Sequence, residues 1–198
     1  MSYYEILLFL HLGAAAIWLG SAFLLFVLFQ RATRGGDPLL AQRLGAHTDW
    51  LATRVFIPAS LAVLVLGILL VIEGGWDFDQ LWILLGLAGF AATFLLGVGL
   101  IEPTAKKMQA AIEAHGPAHP EVARINRRLE GLSLLDLTLL FVIVWDMALK
   151  PTADDVGTLL IAALALGAAG FMVFRAYRQS DVDTLPSEDA LPGGERIG

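Results

Sequence analysis

The stretch Leu81–Ile101, LWILLGLAGFAATFLLGVGLI, carries no charged side chain in 21 residues and a single hydroxyl, that of Thr93. A helix rising ~1.5 Å per residue needs about 20 residues of this kind to cross a ~30 Å hydrocarbon core. A helix apolar on every side has no polar face to offer water, so it is buried in protein or bathed in lipid. The stretch therefore reads as a membrane span, and the chain on either side repeats the pattern.

Tyr4–Phe29 and Val55–Ile72 precede it; Leu132–Leu149 and Gly157–Ala176 follow. The second and fourth segments are the short ones, which predicts less tilt or a locally thinned bilayer. The expected fold is all-α: an integral membrane bundle of five transmembrane helices, a four-helix core plus one C-terminal helix, over residues 1–178. Residues 179–198, rich in Asp, Glu, Pro and Gly, read as a disordered acidic cytoplasmic tail. Composition agrees, because only 16% of residues are charged and they crowd into loops and tail instead of lining helix faces. The amino-terminal MSYYEILLF has no basic n-region and reads as a retained first helix.

Lys and Arg placement predicts orientation. Arg31, Arg34, Arg43 and Arg54 lie after the first span; Lys106, Lys107, Arg124, Arg127 and Arg128 after the third; Arg175, Arg178 and Arg196 at the end. Alternate connections thus hold all the basic residues except Lys150. The positive-inside rule then puts the amino terminus outside and the carboxyl terminus in the cytoplasm, across a plasma or bacterial inner membrane. Two inner segments, Pro38–Arg54 and Ala105–His115, read as short amphipathic helices with too few apolar residues for a separate domain.

An ionisable residue inside a span is costly and so marks a candidate site. These are His11, Asp136 and Asp146, with Lys150 at a membrane edge; His47, His115 and His119 fall in loops. His11, Ala14, Ala15, Trp18 and Ala22 share one helical stripe. Small residues beside a histidine leave room for something flat, and haem with an imidazole ligand fits that description. The competing reading is a histidine that hydrogen-bonds a neighbouring helix. His11, Asp146 and Lys150 are expected at similar depth in the outer half, with Asp146 and Lys150 spaced to pair or to form a polar wall beside His11. Asp136 reads as structural, paired with Arg54 or Arg128.

Trp76, Trp82 and Trp145 suit an interfacial aromatic belt. Gly13, Ala16-x-x-x-Gly20, Gly86, Gly97 and Gly99 suit close helix crossings. Pro58 and Pro103 read as helix-end punctuation. With no cysteine, disulfides, thiolate metal sites and cysteine nucleophiles are excluded. Phosphate-cradling loops and hydrolase motifs are missing, and nothing supports nucleic-acid binding.

Leu10-His11 with Trp18 and Gly20, the Arg54–Gly67 stretch, and Met147-Ala148-Leu149-Lys150-Pro151 resemble the predicted integral membrane proteins of domain of unknown function family 2269, over about Glu5 to Pro151. The same skeleton looks like haem-containing membrane protoporphyrinogen oxidases and, more loosely, CopD-type copper-resistance membrane domains. His11, Trp18, Lys150 and Pro151 match the oxidase pattern, in which the histidine is associated with haem b. The Pro-Arg pair of those oxidases is replaced here by Phe26 and Val27, and there is no second membrane histidine. The resemblance implies haem b as cofactor, His11 as its iron ligand, and Trp18 and Lys150 as cofactor-binding residues. Lys, Met or a partner subunit would supply the iron's other side. Its alternatives are a protoporphyrinogen-oxidase-like enzyme, a proton or metal-ion path through His11, Asp146 and Lys150, and an accessory subunit. The partners open to such a chain are the bilayer, a second copy of itself, or a membrane partner subunit.

Overall fold

The computed structural model describes residues 2–34, 43–44 and 48–182. Among them every regular element is helical. Five helices are long and apolar enough to cross a membrane: Tyr3–Ala32, Ala52–Glu73, Leu81–His115, Pro120–Leu149 and Val156–Gln179. No more than 22% of the most apolar window of any of them is buried within the chain. Phe9, Leu24, Leu95, Leu164 and Phe171 stand outward on the remainder. Apolar surface on that scale needs lipid to cover it, so this is a multi-pass integral membrane protein. Residues 38–42, 45–47 (with His47) and 183–198 lie outside the described residues; the first four residues of the expected tail, 179–182, are helical and continue the last span.

Helix α1 is Tyr3–Arg34. Its start is a capping box: the Ser2 N–H donates to Glu5 Oε2 (2.7 Å) and the Glu5 N–H to Ser2 Oγ (3.2 Å). Helix α2, Ile57–Glu73, continues directly from a π-helical turn at Ala52–Phe56 and a short turn at Thr48–Leu51. Helix α3, Leu81–Leu96, runs through a second π turn, Gly97–Ile101, into α4, Glu102–His115. Helix α5 is Pro120–Leu149 and α6 is Val156–Val182.

The two π turns have one cause. A proline has no N–H for the carbonyl four residues back and its ring collides with that carbonyl. Pro58 and Pro103 stand four residues beyond Arg54 and Gly99, both inside the π turns, where a widened turn makes room for the ring. Both prolines are therefore crossed by continuous helix, which corrects their reading as punctuation. For the same reason the third span does not stop at Ile101.

The fourth span is not short. Pro120–Leu149 starts a dozen residues before its apolar run, with His119 as N-cap (its Nδ1 accepts from the Glu121 N–H, 3.2 Å) and Pro120 at the first turn. Its amphipathic beginning packs antiparallel on α4, burying Met108, Ala111, Ile112 and Val122 against Ile125 and Leu129. Gly116, at φ 81°, makes the turn between them, a conformation that costs glycine nothing. The connection between the third and fourth spans is thus a helical hairpin that prolongs both.

Helices α1, α2, α3 and α5 form the core group: α1 packs on α2 and α5, and α3 on α5. Helix α6 lies against α5. The two approach closely at Gly131, where a Cβ would meet Val173 and Ala176 at 3.4 Å, and Arg128 lies over the Tyr177 ring at 4.8 Å. Close crossings fall on Gly67, Gly86, Gly89 and Gly131. Gly13, Gly20, Gly97 and Gly99 have nothing within 4 Å, so of the small residues expected at crossings only Gly86 serves one.

Candidate functional site

Four helix ends meet at one end of the core group: the start of α1, the end of α2, the start of α3 and the end of α5. Between them lies a cavity of about 210 Å³, apolar over most of its wall. His11 and Trp18 reach it from α1, Gly67 from α2, Gly86 and Phe90 from α3, and Met147 and Lys150 from the end of α5. Three of the sequence-derived candidates, His11, Trp18 and Lys150, therefore share one space although they come from opposite ends of the core.

The stripe read on α1 turns inward: His11, Ala14, Ala15, Trp18 and Ala22 are half-buried, while Leu12, Gly13, Ala16, Ile17 and Gly20 are exposed. The imidazole lies against Gly67, whose missing side chain makes the space; a Cβ there would stand 3.2 Å from His11 Cε1. The Val63 carbonyl interacts with the ring. His11 Nδ1 is buried with no hydrogen-bond partner. An unpartnered buried ring nitrogen is costly in a protein interior; this one faces Gly67, and the His11 side chain that carries it lines the cavity. Deeper in, Trp18 meets Phe90 with ring centroids 5.6 Å apart.

Aromatic rings surround the mouth. Trp76, from the α2–α3 connection, stands edge-on to Tyr4 (6.3 Å) and to Trp82 (4.9 Å). Trp82 is buried and donates its Nε1–H to Gln80 Oε1 at 2.8 Å. Both rings line the cavity, which corrects their reading as belt residues; Trp145, 43% exposed, fits a belt. Lys150 Nζ lies 3.7 Å from the Trp76 ring centroid and 5.0 Å from that of Trp82.

The carboxylates do not join this arrangement. Asp146 is buried with both oxygens unpartnered, and the ion pairs among the described residues do not include an Asp146–Lys150 pair. Its Oδ2 is 3.7 Å from the Cβ position of Gly86, where α3 and α5 meet, and it does not line the cavity. A pair four apart on a helix is only a neighbour; here Lys150 leaves the helix as a left-handed cap, which turns its side chain to the tryptophans. Asp136 Oδ1 is likewise buried and unpartnered, and Arg54, one of its expected partners, is exposed. No group of three metal-ligating side chains is present among the described residues.

The family of predicted integral membrane proteins DUF2269 matches residues 5–151. The chain belongs to that family. The DUF2269 region takes in α1 to α5 and every cavity-lining residue except Tyr4, while α6 lies beyond it. Neither a curated protein nor a solved structure matches the chain. The likeness to haem oxidases and CopD-type domains thus rests on the sequence pattern alone.

Proposed function

We propose that this DUF2269 protein binds haem b in the cavity, with His11 as the iron ligand. The observation that carries the reading is the shared lining: a half-buried imidazole with an unpartnered nitrogen and a cation at the mouth, on otherwise apolar walls. These are the groups a flat, apolar, acid-bearing macrocycle needs. The cavity's 210 Å³ is smaller than the ~300–1,000 Å³ of pockets that sheathe a whole small molecule, so a bound macrocycle would be only partly covered by the chain.

In this reading His11 holds the iron, Gly67 lets the imidazole rest on α2, and Trp18 with Phe90 closes the floor. Met147 lines the same cavity and would be a second side chain able to hold the iron. Haem, when bound, supplies one-electron redox chemistry whose potential depends on its ligands and burial. The titratable cavity residues are Tyr4, His11 and Lys150. With His11 on iron few groups remain to move substrate protons, which favours a binding or electron-transfer role over an oxidase. Asp146, absent from the lining, does not build the polar wall of an ion path. We place the protein in a plasma or inner membrane, amino terminus outside, so that the cavity sits in the outer half.

Titration of the detergent-purified protein with haem b tests this. Stoichiometric binding with a shifted Soret band is expected for the wild type, and its loss in His11→Ala at unchanged helical content. Equal binding by the two proteins would overturn the assignment.

A further inference from the structure

The mouth of the cavity carries a cation without an acidic partner. Lys150 takes part in none of the ion pairs among the described residues and rests instead on the faces of Trp76 and Trp82. Of the three carboxylates nearest in sequence, Asp154 is exposed and in none of those ion pairs, and the other two are committed or turned away. Asp155 accepts from the Thr152 N–H (2.8 Å) and from its hydroxyl (2.9 Å). Asp146, one turn back, lies toward Gly86.

The backbone at this point is unusual. Lys150, at φ 48° and ψ 57°, is the one non-glycine residue of positive φ among the described residues. It also precedes Pro151, and a residue before proline is biased toward extended conformations. Glycine would make the same left-handed helix cap at less cost. What the lysine adds is its ammonium, held over two rings that line the cavity. Strained backbone of this sort recurs at ligand clamps.

We propose that Lys150, on the Trp76 and Trp82 faces, forms a carboxylate-recognition site. The ligand of the cavity is an amphipathic acid: its apolar body lies among α1, α2, α3 and α5, and its carboxylate draws the ammonium off the Trp76 ring. A charge-assisted hydrogen bond outcompetes a cation–π contact at a partly wet mouth, so the rings hold the lysine in place without holding it back. The inference rests on the cavity being a ligand site, as proposed above, and holds for any apolar acid, whether a tetrapyrrole propionate or a fatty acid.

The test uses full-length protein in phosphatidylcholine nanodiscs and two acid–ester pairs: haem b against its dimethyl ester, read by absorbance, and oleate against methyl oleate, read by tryptophan fluorescence. The acid is expected to bind more tightly than its ester by about tenfold or more, as a hydrogen bond to a charged group implies. Lys150→Gly is expected to abolish that preference while melting at the wild-type temperature or above, and Lys150→Arg to restore it. No acid preference in either pair, or a preference that survives in Lys150→Gly, overturns the proposal. Selective oleate binding without haem binding would sink the haem reading and support this one.

Discussion

Gly67 sets how closely the imidazole lies on α2. A Cβ at that position would stand 3.2 Å from His11 Cε1 and 3.6 Å from Nδ1, whereas carbon atoms prefer separations of about 3.5–4.0 Å. Gly67→Ala therefore asks the ring to retreat by roughly 0.3–0.8 Å. A side-chain rotation can supply that at about 0.5–1.5 kcal/mol. Helix propensity acts the other way, since alanine is favoured over glycine in a helix interior by about 1 kcal/mol. The two nearly cancel, so the melting temperature should move by no more than about 4 °C. Ligand binding has no such compensation: returning the ring to its place costs about 1 kcal/mol, or about fivefold in affinity. Gly67→Val adds bulk the ring cannot avoid, must part α1 from α2, and should lose about 1–3 kcal/mol of stability. Melting by circular dichroism and haem titration on the same preparations would read both. If Gly67→Val melts and binds as the wild type does, the imidazole is not seated on Gly67 and the geometry of the site is wrong.

Ending the chain at Asp155 removes α6, which packs on α5 outside the cavity; the shortened protein should still bind haem, and loss of binding in a folded preparation would show that α6 shapes the site. Hydrogen bonds from Thr152 hold the Asp155 carboxyl below its ordinary value of 3.8. Because the folded value is depressed, the order this turn gains from Asp155 is present above the unfolded value and is lost as pH falls through the folded one. Protection of the Thr152 amide, its exchange relative to the intrinsic rate at each pH, should fall over that range in the wild type and be low at every pH in Asp155→Ala. A reporter fused after Arg178 should be active in the cytoplasm; activity on the other side would reverse the proposed orientation.

The spans were legible because hydropathy is local: Leu81–Ile101 announces itself without knowledge of any neighbour. Their lengths were not. Pro120–Leu132 and Ala105–His115 become helix continuous with the spans because they bury Met108, Ile112 and Val122 against each other, a contact that depends on both partners. On α1 the inward stripe could be read from periodicity, and it placed His11 and Trp18 on the same side. The other half of the site is long-range. Gly67 matters because α2 runs antiparallel to α1 and brings it opposite His11, and Trp76 because the α2–α3 connection folds back over Tyr4. Spacing alone suggested an Asp146–Lys150 pair; the left-handed cap at Lys150 removed it.

The most direct measurement is the absorption spectrum of the protein as isolated from haem-replete cells, oxidised and reduced, beside that of His11→Ala. One haem b per chain in the wild type and none in a folded His11→Ala is the predicted result. A colourless, well-folded wild-type preparation would contradict it and leave the cavity to another ligand.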